Sequence, residues 1–291
     1  MRERRLRRFC AVLIFIIVGF TLPVRAEDDR GWTFSGRFQG SSNSSGLITK
    51  LDPTLGYSFN RHFQMSAGLP VYFVNESSTL TTSTTTTSPG FVKGMGNAYL
   101  GFQLAADNPA VNYASNLVFT APTGDKDKGF STGRMTVDWN NSFSHNFSSV
   151  TPFANVGVAN TISDTSFFVR PFSSLGLVGH FEGGATAGSR LVRVGASAYG
   201  VQASGEQRII SKVKQRDLRV TQTASPSPSS KRVFETSSEI LAPADAANDH
   251  GFSTWFAIHH GSNVDFQVGY SRSVSYDLNT VFFGVAFRTG K

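Results

Sequence analysis

The sequence has 291 residues, of which 40% are hydrophobic, 12% are aromatic and 16% are charged, and its formal net charge is +7. Its single cysteine, Cys10, excludes a disulfide framework and a cysteine metal site. After residue 26 no run approaches the roughly 18 consecutive apolar residues that a membrane helix requires, so membrane-spanning helices are excluded.

The first 26 residues follow the three-part plan of a secretory signal peptide. A basic segment is followed by an apolar run at 9–22, and Val24-Arg25-Ala26 places small residues at the −3 and −1 positions before Glu27. The run is short for a bilayer-spanning helix of roughly 20 residues, although an uncleaved anchor is the alternative. We predict cleavage after Ala26. The mature chain then keeps 21 basic and 19 acidic side chains, so no nucleic-acid partner is expected.

The mature chain alternates between apolar and polar residues. In segment 264–271 the apolar positions are 264, 266, 268 and 270, and segments 32–39 and 134–143 have the same plan. Because side chains of a strand point alternately to its two faces, this pattern predicts an all-β fold. Twelve strands are expected, near 31–39, 46–58, 62–74, 95–105, 111–121, 134–144, 149–158, 167–179, 190–201, 251–259, 264–272 and 279–288. The stretch 180–189 reads either as a turn or as part of a longer strand.

The connections between these strands alternate between short and long. Short ones follow the second, fourth, sixth and tenth strands, whereas those after odd strands are mostly longer and more polar. Transmembrane barrels have short periplasmic turns and longer outer loops. We therefore predict a transmembrane antiparallel up-and-down β-barrel over 27–291 with both termini in the periplasm, and a soluble β-sandwich is the alternative.

Two connections are unusual. Residues 77–88 are almost entirely Ser and Thr and are expected to form a solvated outer loop. The segment 202–250 is too long for an ordinary connection and is read as a hairpin-like arm outside the bilayer. Its basic part, 208–232, either contacts anionic lipopolysaccharide or is simply solvated.

Three short motifs resemble a known family. Ala121-Pro122-Thr123-Gly124-Asp125-Lys126-Asp127-Lys128-Gly129 resembles the "PTGD…KG" segment of the family named for the meta-pathway of phenol degradation, which comprises proposed outer-membrane transporters. Gly94-Met95-Gly96-Asn97-Ala98-Tyr99-Leu100-Gly101 resembles the preceding strand of that family, with Asn97 in place of its Asp. Phe153-Ala154-Asn155-Val156-Gly157-Val158 resembles the family's later "N-x-G" strand. The resemblance spans about 50–200 and implies a barrel of the 12-strand type that passes hydrophobic or aromatic compounds.

The lumen is the expected functional surface. Alternation places eight charged side chains inside as pore-lining candidates: Arg37, Lys50, Asp52, Arg134, Asp138, Arg170, Asp265 and Arg288. Asp125, Lys126, Asp127 and Lys128 are loop or gate candidates, although a solvated charged turn is the alternative. A twelve-stranded lumen is either a narrow charged pore or is sealed by ion pairs.

No catalytic residue, cofactor or metal site is predicted. His259-His260 lacks a third metal ligand at a recognisable spacing, and Gly183-Gly184 lacks the context of a phosphate-binding loop. A nucleophilic triad is not indicated by any motif.

The expected function is therefore an outer-membrane channel or transporter, not an enzyme, for passive passage of small solutes, with hydrophobic or aromatic ones implied by the resemblance. A lipid-modifying enzyme and a structural or adhesive barrel without a pore are the alternatives. The expected partners are outer-membrane lipid, lipopolysaccharide, a small-molecule solute and the barrel-assembly machinery. That machinery commonly recognises a terminal aromatic residue, and Phe287, four residues before the end, is expected to serve in its place.

Overall fold

The computed structural model describes residues 30–44, 46–76, 91–162, 164, 169–189, 191–212, 239–260 and 263–289. The predicted signal peptide, the Ser/Thr-rich loop 77–88 and most of the basic segment 208–232 lie outside these ranges. None of the helices within them is long and apolar enough to cross a membrane.

The described chain consists of β-strands and two short 3-10 helices. The strands are β1 (Gly31–Asn43), β2 (Gly46–Ser58), β3 (Phe63–Gly68), β4 (Val71–Glu76), β5 (Phe91–Met95), β6 (Tyr99–Ala106), β7 (Asn112–Thr120), β8 (Thr136–Ser144), β9 (Val150–Ala159), β10 (Phe172–Gly188), β11 (Val192–Ser211), β12 (Glu239–Ala242), β13 (Asp249–His260), β14 (Val264–Ser273) and β15 (Leu278–Thr289). The 3-10 helices are η1 (Lys126–Lys128) and η2 (Ala244–Ala246).

These strands form a closed antiparallel barrel of 12 strands, as predicted. Each barrel strand pairs with its neighbours in the chain, and β1 closes the wall by pairing with both β2 and β15. Two barrel strands are interrupted: β3 and β4 form one, and β5 and β6 form the next. Pro70 lies in the first interruption, where its missing N–H would break a ladder. Only β12, among the described strands, lies off the wall and pairs with the end of β11.

Several strands are longer than the alternation predicted. The stretch 180–189 belongs mainly to β10, and the turn follows at its end. β11 continues to Ser211, so the first ten residues of the predicted loop 202–250 are strand. In contrast, β8 begins only at Thr136, and Arg134 therefore precedes the strand in which it was predicted to lie.

The two faces of the wall differ as expected for a barrel in lipid. On β14, Phe266 and Val268 are 45% and 49% exposed, while Ser271 on the opposite face is buried. Trp139 on β8 and Met135 directly before it are exposed in the same way. A soluble protein rarely exposes so many large apolar side chains. The closed wall and its outward apolar rows disagree with a β-sandwich, whose apolar faces pack against each other.

The two ends of the barrel also differ. At the turn end, the described connections are short, as at 59–62, 107–111 and 145–149. At the loop end, the connections 121–135, 160–171 and 212–248 are longer. Buried apolar side chains lie inside the wall near this end, in one group around Ile48, Val74 and Phe130 and another around Ile162, Phe172 and Ile209. The lumen is therefore partly filled at the loop end.

Candidate functional site

The connection between β9 and β10 folds into the barrel. The N–H of Val169 donates to Ser41 Oγ on β1 (2.6 Å), and both residues are buried. Asp164 and Arg170, from the same connection, form ion pairs with different parts of the wall. We refer to the described residues 160–162, 164 and 169–171 as the inserted segment. Its anchors on β1, β2 and β13 place it across the loop end of the lumen.

Asp164 is the first anchor of the inserted segment. Its carboxylate accepts hydrogen bonds from Lys212 Nζ (2.7 Å), Lys50 Nζ (3.4 Å) and the Tyr72 hydroxyl (2.9 Å). The backbone N–H of Arg170 is a fourth donor, at 3.0 Å. Burial alone would raise the pKa of Asp164, but Lys212 and Lys50 outweigh it and hold the pKa well below its usual range. The carboxylate is therefore charged at neutral pH.

Arg170 is the second anchor. Its guanidinium donates to Asp249 Oδ2 on β13, and Asp249 also accepts hydrogen bonds from the hydroxyls of Tyr199 (3.2 Å) and Ser273 (2.6 Å). Burial alone would lower the pKa of Arg170, but the nearby Asp249 raises it above its ordinary value. The predicted pore-lining Arg170 is thus a fixed charge of the inserted segment and not a wall residue of a strand.

A cavity of about 300 Å³ lies between the inserted segment and the wall. Asp52, Tyr99 and Asp138 line it from the wall, and Lys50, Tyr72 and Lys212 line the part next to Asp164. Hydroxyl groups contribute much of the remaining lining, from Thr120, Thr132, Thr136, Thr161 and Ser173. Pro70, Val118, Phe130 and Ile162 add apolar surface, so this space can hold a small solute that has both polar and apolar parts.

The two motifs before residue 130 that carry the family resemblance contact each other. The Asn97 side chain accepts a hydrogen bond from the N–H of Gly124 (3.1 Å), and the Thr123 hydroxyl accepts one from the N–H of Ala98 (2.8 Å). A side chain at Gly124 would lie 2.6 Å from the backbone of Gly96, so this close approach requires glycine. Asn97 thus supplies the acceptor at a position where the family has Asp.

Phe130, which follows this loop, packs inside the barrel. Its ring stacks on that of Tyr72 with centroids 5.2 Å apart. The loop-end connection 121–135 therefore also narrows the lumen, and it forms one wall of the cavity.

Three aromatic side chains lie on the inner face, where the pattern predicts polar residues. Trp255 of β13 has its ring centroid 6.2 Å from that of Phe153 of β9, and Phe282 of β15 belongs to the same cluster. Glycines make room for them: a Cβ at Gly195 would lie 2.3 Å from the Trp255 ring, and one at Gly269 would lie 2.3 Å from Phe282. The three rings form an aromatic patch packed inside the barrel, in which Trp255 and Phe282 are buried.

The predicted pore-lining residues occupy different places. Lys50, Asp52 and Asp138 line the cavity, and Asp138 contacts His180 Nε2 at 3.0 Å. Arg37 lies opposite Asp52 in the register of β1 and β2, and Arg288 lies opposite Ser35. Asp265 contacts His259 Nδ1 at 2.6 Å near the turn end. Arg134 is exposed in the connection before β8.

The predicted gate residues form a local turn. Lys128 Nζ lies 3.0 Å from Asp125 Oδ2, and Lys126 Nζ lies 3.4 Å from Glu239 on β12. Lys126, Asp127 and Lys128 form η1, and Gly129 ends it with a left-handed φ of 75°. Lys126 and Lys128 are roughly half-exposed and Asp125 is partly exposed, whereas the Asp164 and Arg170 pairs are nearly buried.

Nucleophile and metal chemistry have little support among the described residues. Ser275 and His250 are hydrogen-bonded at 2.9 Å near the loop end, but no carboxylate contact to the second ring nitrogen of His250 is seen there, as a triad would require. No group of three or more His, Cys, Asp or Glu side chains is suitably arranged for a metal ion in the described ranges.

The alternation pattern missed the most important partners in the site. Asp164, Tyr72, Lys212 and Asp249 were not singled out, because their contacts join positions 48 to 114 residues apart. The aromatic patch could have been noticed, since Phe153 and Trp255 break the polar phase of their strands while glycines occupy that phase on neighbouring strands.

No protein-family model matches the chain, and no curated protein sequence matches it. Among solved structures, an outer-membrane channel from Pseudomonas putida F1 has a TM-score of 0.56 at 11% identity, with 92% of this chain and all of that chain covered. The NanC porin has a TM-score of 0.47 at 10% identity over 87% of this chain and 98% of that one. The first similarity establishes a shared fold, and the second, below 0.5, carries no further weight.

Proposed function

We propose that this protein is an outer-membrane channel for passive passage of small solutes. The observation that carries the proposal is the combination of a closed wall, outward apolar rows and a charged internal cavity. Exposed residues such as Val268 suit a lipid environment, whereas the cavity beside Asp138 is lined by groups that replace water around a polar solute.

The proposed location rests on the same features. The fold shared with an outer-membrane channel from Pseudomonas putida F1 supports the outer membrane as the site of function. Export through a signal peptide cleaved after Ala26, folding by the barrel-assembly machinery and contact with lipopolysaccharide remain parts of the proposal. In the predicted orientation, with both termini in the periplasm, the turn end faces the periplasm and the loop end faces outward.

The inserted segment determines how the channel would work. Because Asp164 and Arg170 tie it to different parts of the wall, a solute passes beside it through the cavity or requires it to shift. Inside such a narrow lumen the fixed charges set ion preference. The narrow path favours small solutes and excludes folded polymers.

The kind of solute is the finest part of the proposal. The family resemblance implies hydrophobic or aromatic compounds, and the patch of Phe153, Trp255 and Phe282 places aromatic rings inside the barrel, although Trp255 and Phe282 are buried. The cavity is lined by charged and hydroxyl groups together with apolar side chains such as Val118, Phe130 and Ile162. We therefore propose small solutes that carry a polar or charged group.

A lipid-modifying enzyme is the competing proposal. It rests on the single observation that Ser275 and His250 are hydrogen-bonded near the loop end. A fluorophosphonate probe that labels Ser275 in the folded protein would favour it, whereas an unlabelled protein would favour the channel.

Conductance in a planar bilayer tests the channel directly. The folded chain is expected to produce discrete current steps, and its heat-unfolded form is the control. A Val268→Arg variant, which places a charge on an outward side chain of β14, is expected to lower the number of inserted channels without changing the size of each current step. A folded protein that never conducts would support a sealed structural barrel.

A further inference from the structure

The Asp164 carboxylate occupies a site built by other parts of the chain. Its three side-chain donors belong to the wall and its edge: Lys50 lies on β2, Tyr72 on β4, and Lys212 directly after β11. The carboxylate itself comes from the inserted segment. The donors and the acceptor therefore belong to separate parts of the chain.

The chemistry of these donors is that of a carboxylate receptor. Two ammonium groups and one phenol hydroxyl point at one carboxylate, at 2.7, 3.4 and 2.9 Å. Hydrogen bonds between charged groups are stronger than neutral ones, particularly where water is restricted. The three donors are nearly buried. Without the anion, Lys212 would lose its partner at 2.7 Å and Lys50 would keep only the more distant Asp52, at 4.0 Å, which raises the desolvation cost of the two charges.

Space for a competing anion adjoins this site. The cavity of about 300 Å³ is lined by Lys50, Tyr72 and Lys212 on one side and by Asp164 itself. A small solute in that cavity reaches the same donors without crossing the wall. Tyr72 is held in position by stacking with Phe130, and Lys212 lies 5.1 Å above the Tyr72 ring.

We propose that Lys50, Tyr72 and Lys212 form a binding site for the carboxylate of a small solute, and that Asp164 fills it in this structure as an internal ligand. The solute carboxylate exchanges with Asp164, which frees the inserted segment from one of its two ionic anchors. This inference rests on the proposed channel function, because it names the chemical class of solute that the channel accepts.

The test is calorimetric titration of the purified, folded full-length barrel with gluconate and with sorbitol. These probes have the same carbon chain and differ by a carboxylate in place of a hydroxymethyl group. Asp164→Asn weakens the internal competitor, so gluconate should bind at least tenfold more tightly than to the wild type. Adding Lys212→Gln to that variant should remove the gain, and sorbitol should bind none of the proteins.

Asp277→Asn is the matched control. Asp277 is the exposed ion-pair partner of Arg272. This variant changes the net charge by the same amount as Asp164→Asn and should leave gluconate affinity at the wild-type level. If Asp164→Asn does not fold, Asp164→Ser replaces it. If neither folds, gluconate affinity is compared between the wild type and Lys212→Gln, and the wild type should bind gluconate more strongly.

Equal gluconate affinity with and without the Asp164 change, or with and without Lys212, would overturn the proposal. So would sorbitol binding as strong as that of gluconate. The titration does not require conduction. A conducting barrel that fails it loses only the carboxylate site, whereas a barrel that binds gluconate but never conducts loses only the channel function.

Discussion

Arg170 Nη1 and Asp249 Oδ2 lie 2.9 Å apart, and the two side chains are 4% and 0% exposed although 79 positions separate them in sequence. This ion pair ties the inserted segment to β13. Asp249 accepts additional hydrogen bonds from Tyr199 and Ser273, which satisfy the oxygens that Arg170 leaves partly open. The pair therefore fixes the contents of the lumen relative to its wall.

Replacement of Arg170 by Met should destabilise the folded barrel by about 3–5 kcal/mol, because it leaves Asp249 as an uncompensated buried charge. The measurement is the free energy of unfolding in urea, in detergent or liposomes. The control is Asp277→Asn, which breaks an ion pair whose carboxylate is 84% exposed and should cost below about 1 kcal/mol. Equal effects of the two variants would show that the Arg170 pair is not buried in solution.

Val268→Arg should lower the free energy of unfolding by about 2–4 kcal/mol if the residue lies near the bilayer midplane, because this side chain faces outward among apolar neighbours. Arg at the adjacent Gln267, which points to the lumen, should cost much less. The measurement is the yield and unfolding free energy of barrel in a liposome folding assay. A similar loss for both variants would contradict the two-faced assignment of β14.

Gly195→Ala should overpack the aromatic patch and lower the free energy of unfolding by about 1–3 kcal/mol, the usual cost of overpacking. The added Cβ would lie 2.3 Å from the Trp255 ring, whereas one at Gly183 has nothing within 4 Å. Tryptophan fluorescence and the unfolding free energy should therefore change for Gly195→Ala and stay near wild type for Gly183→Ala. Wild-type fluorescence and wild-type unfolding free energy in Gly195→Ala would mean that Trp255 does not lie over that glycine.

The stability that Asp164 supplies should depend on pH in a defined direction. Its folded pKa is lowered, so its contribution is complete above the ordinary carboxyl pKa of about 4 and is lost as the pH falls through the lower folded value. Lys212→Gln removes the strongest neighbouring cation and should move that loss to higher pH. The measurement is the unfolding midpoint against pH for both proteins, and superimposable acid limbs would contradict the ion pair.

The strands of the wall were predictable, whereas the contents of the lumen were not. Strict alternation at 264–271 fixes both the strand and its faces, because a one-residue shift would turn every apolar side chain inward. Arg170 was recognised as an inward charge for the wrong reason, since it lies before β10 and not within it. Its partner Asp249 and the Asp164–Lys212 pair depend on how a connection folds back into the barrel, and no local pattern encodes that path.

Reversal potential and conductance in a planar bilayer under a salt gradient test the central claim most directly. The wild type should form discrete current steps. Asp138→Asn should shift selectivity toward anions, because Asp138 lines the cavity beside His180. Arg134→Gln, which alters an exposed side chain before β8, should shift it far less. A correctly folded wild type that passes no current at any voltage would contradict the account of this protein as a channel.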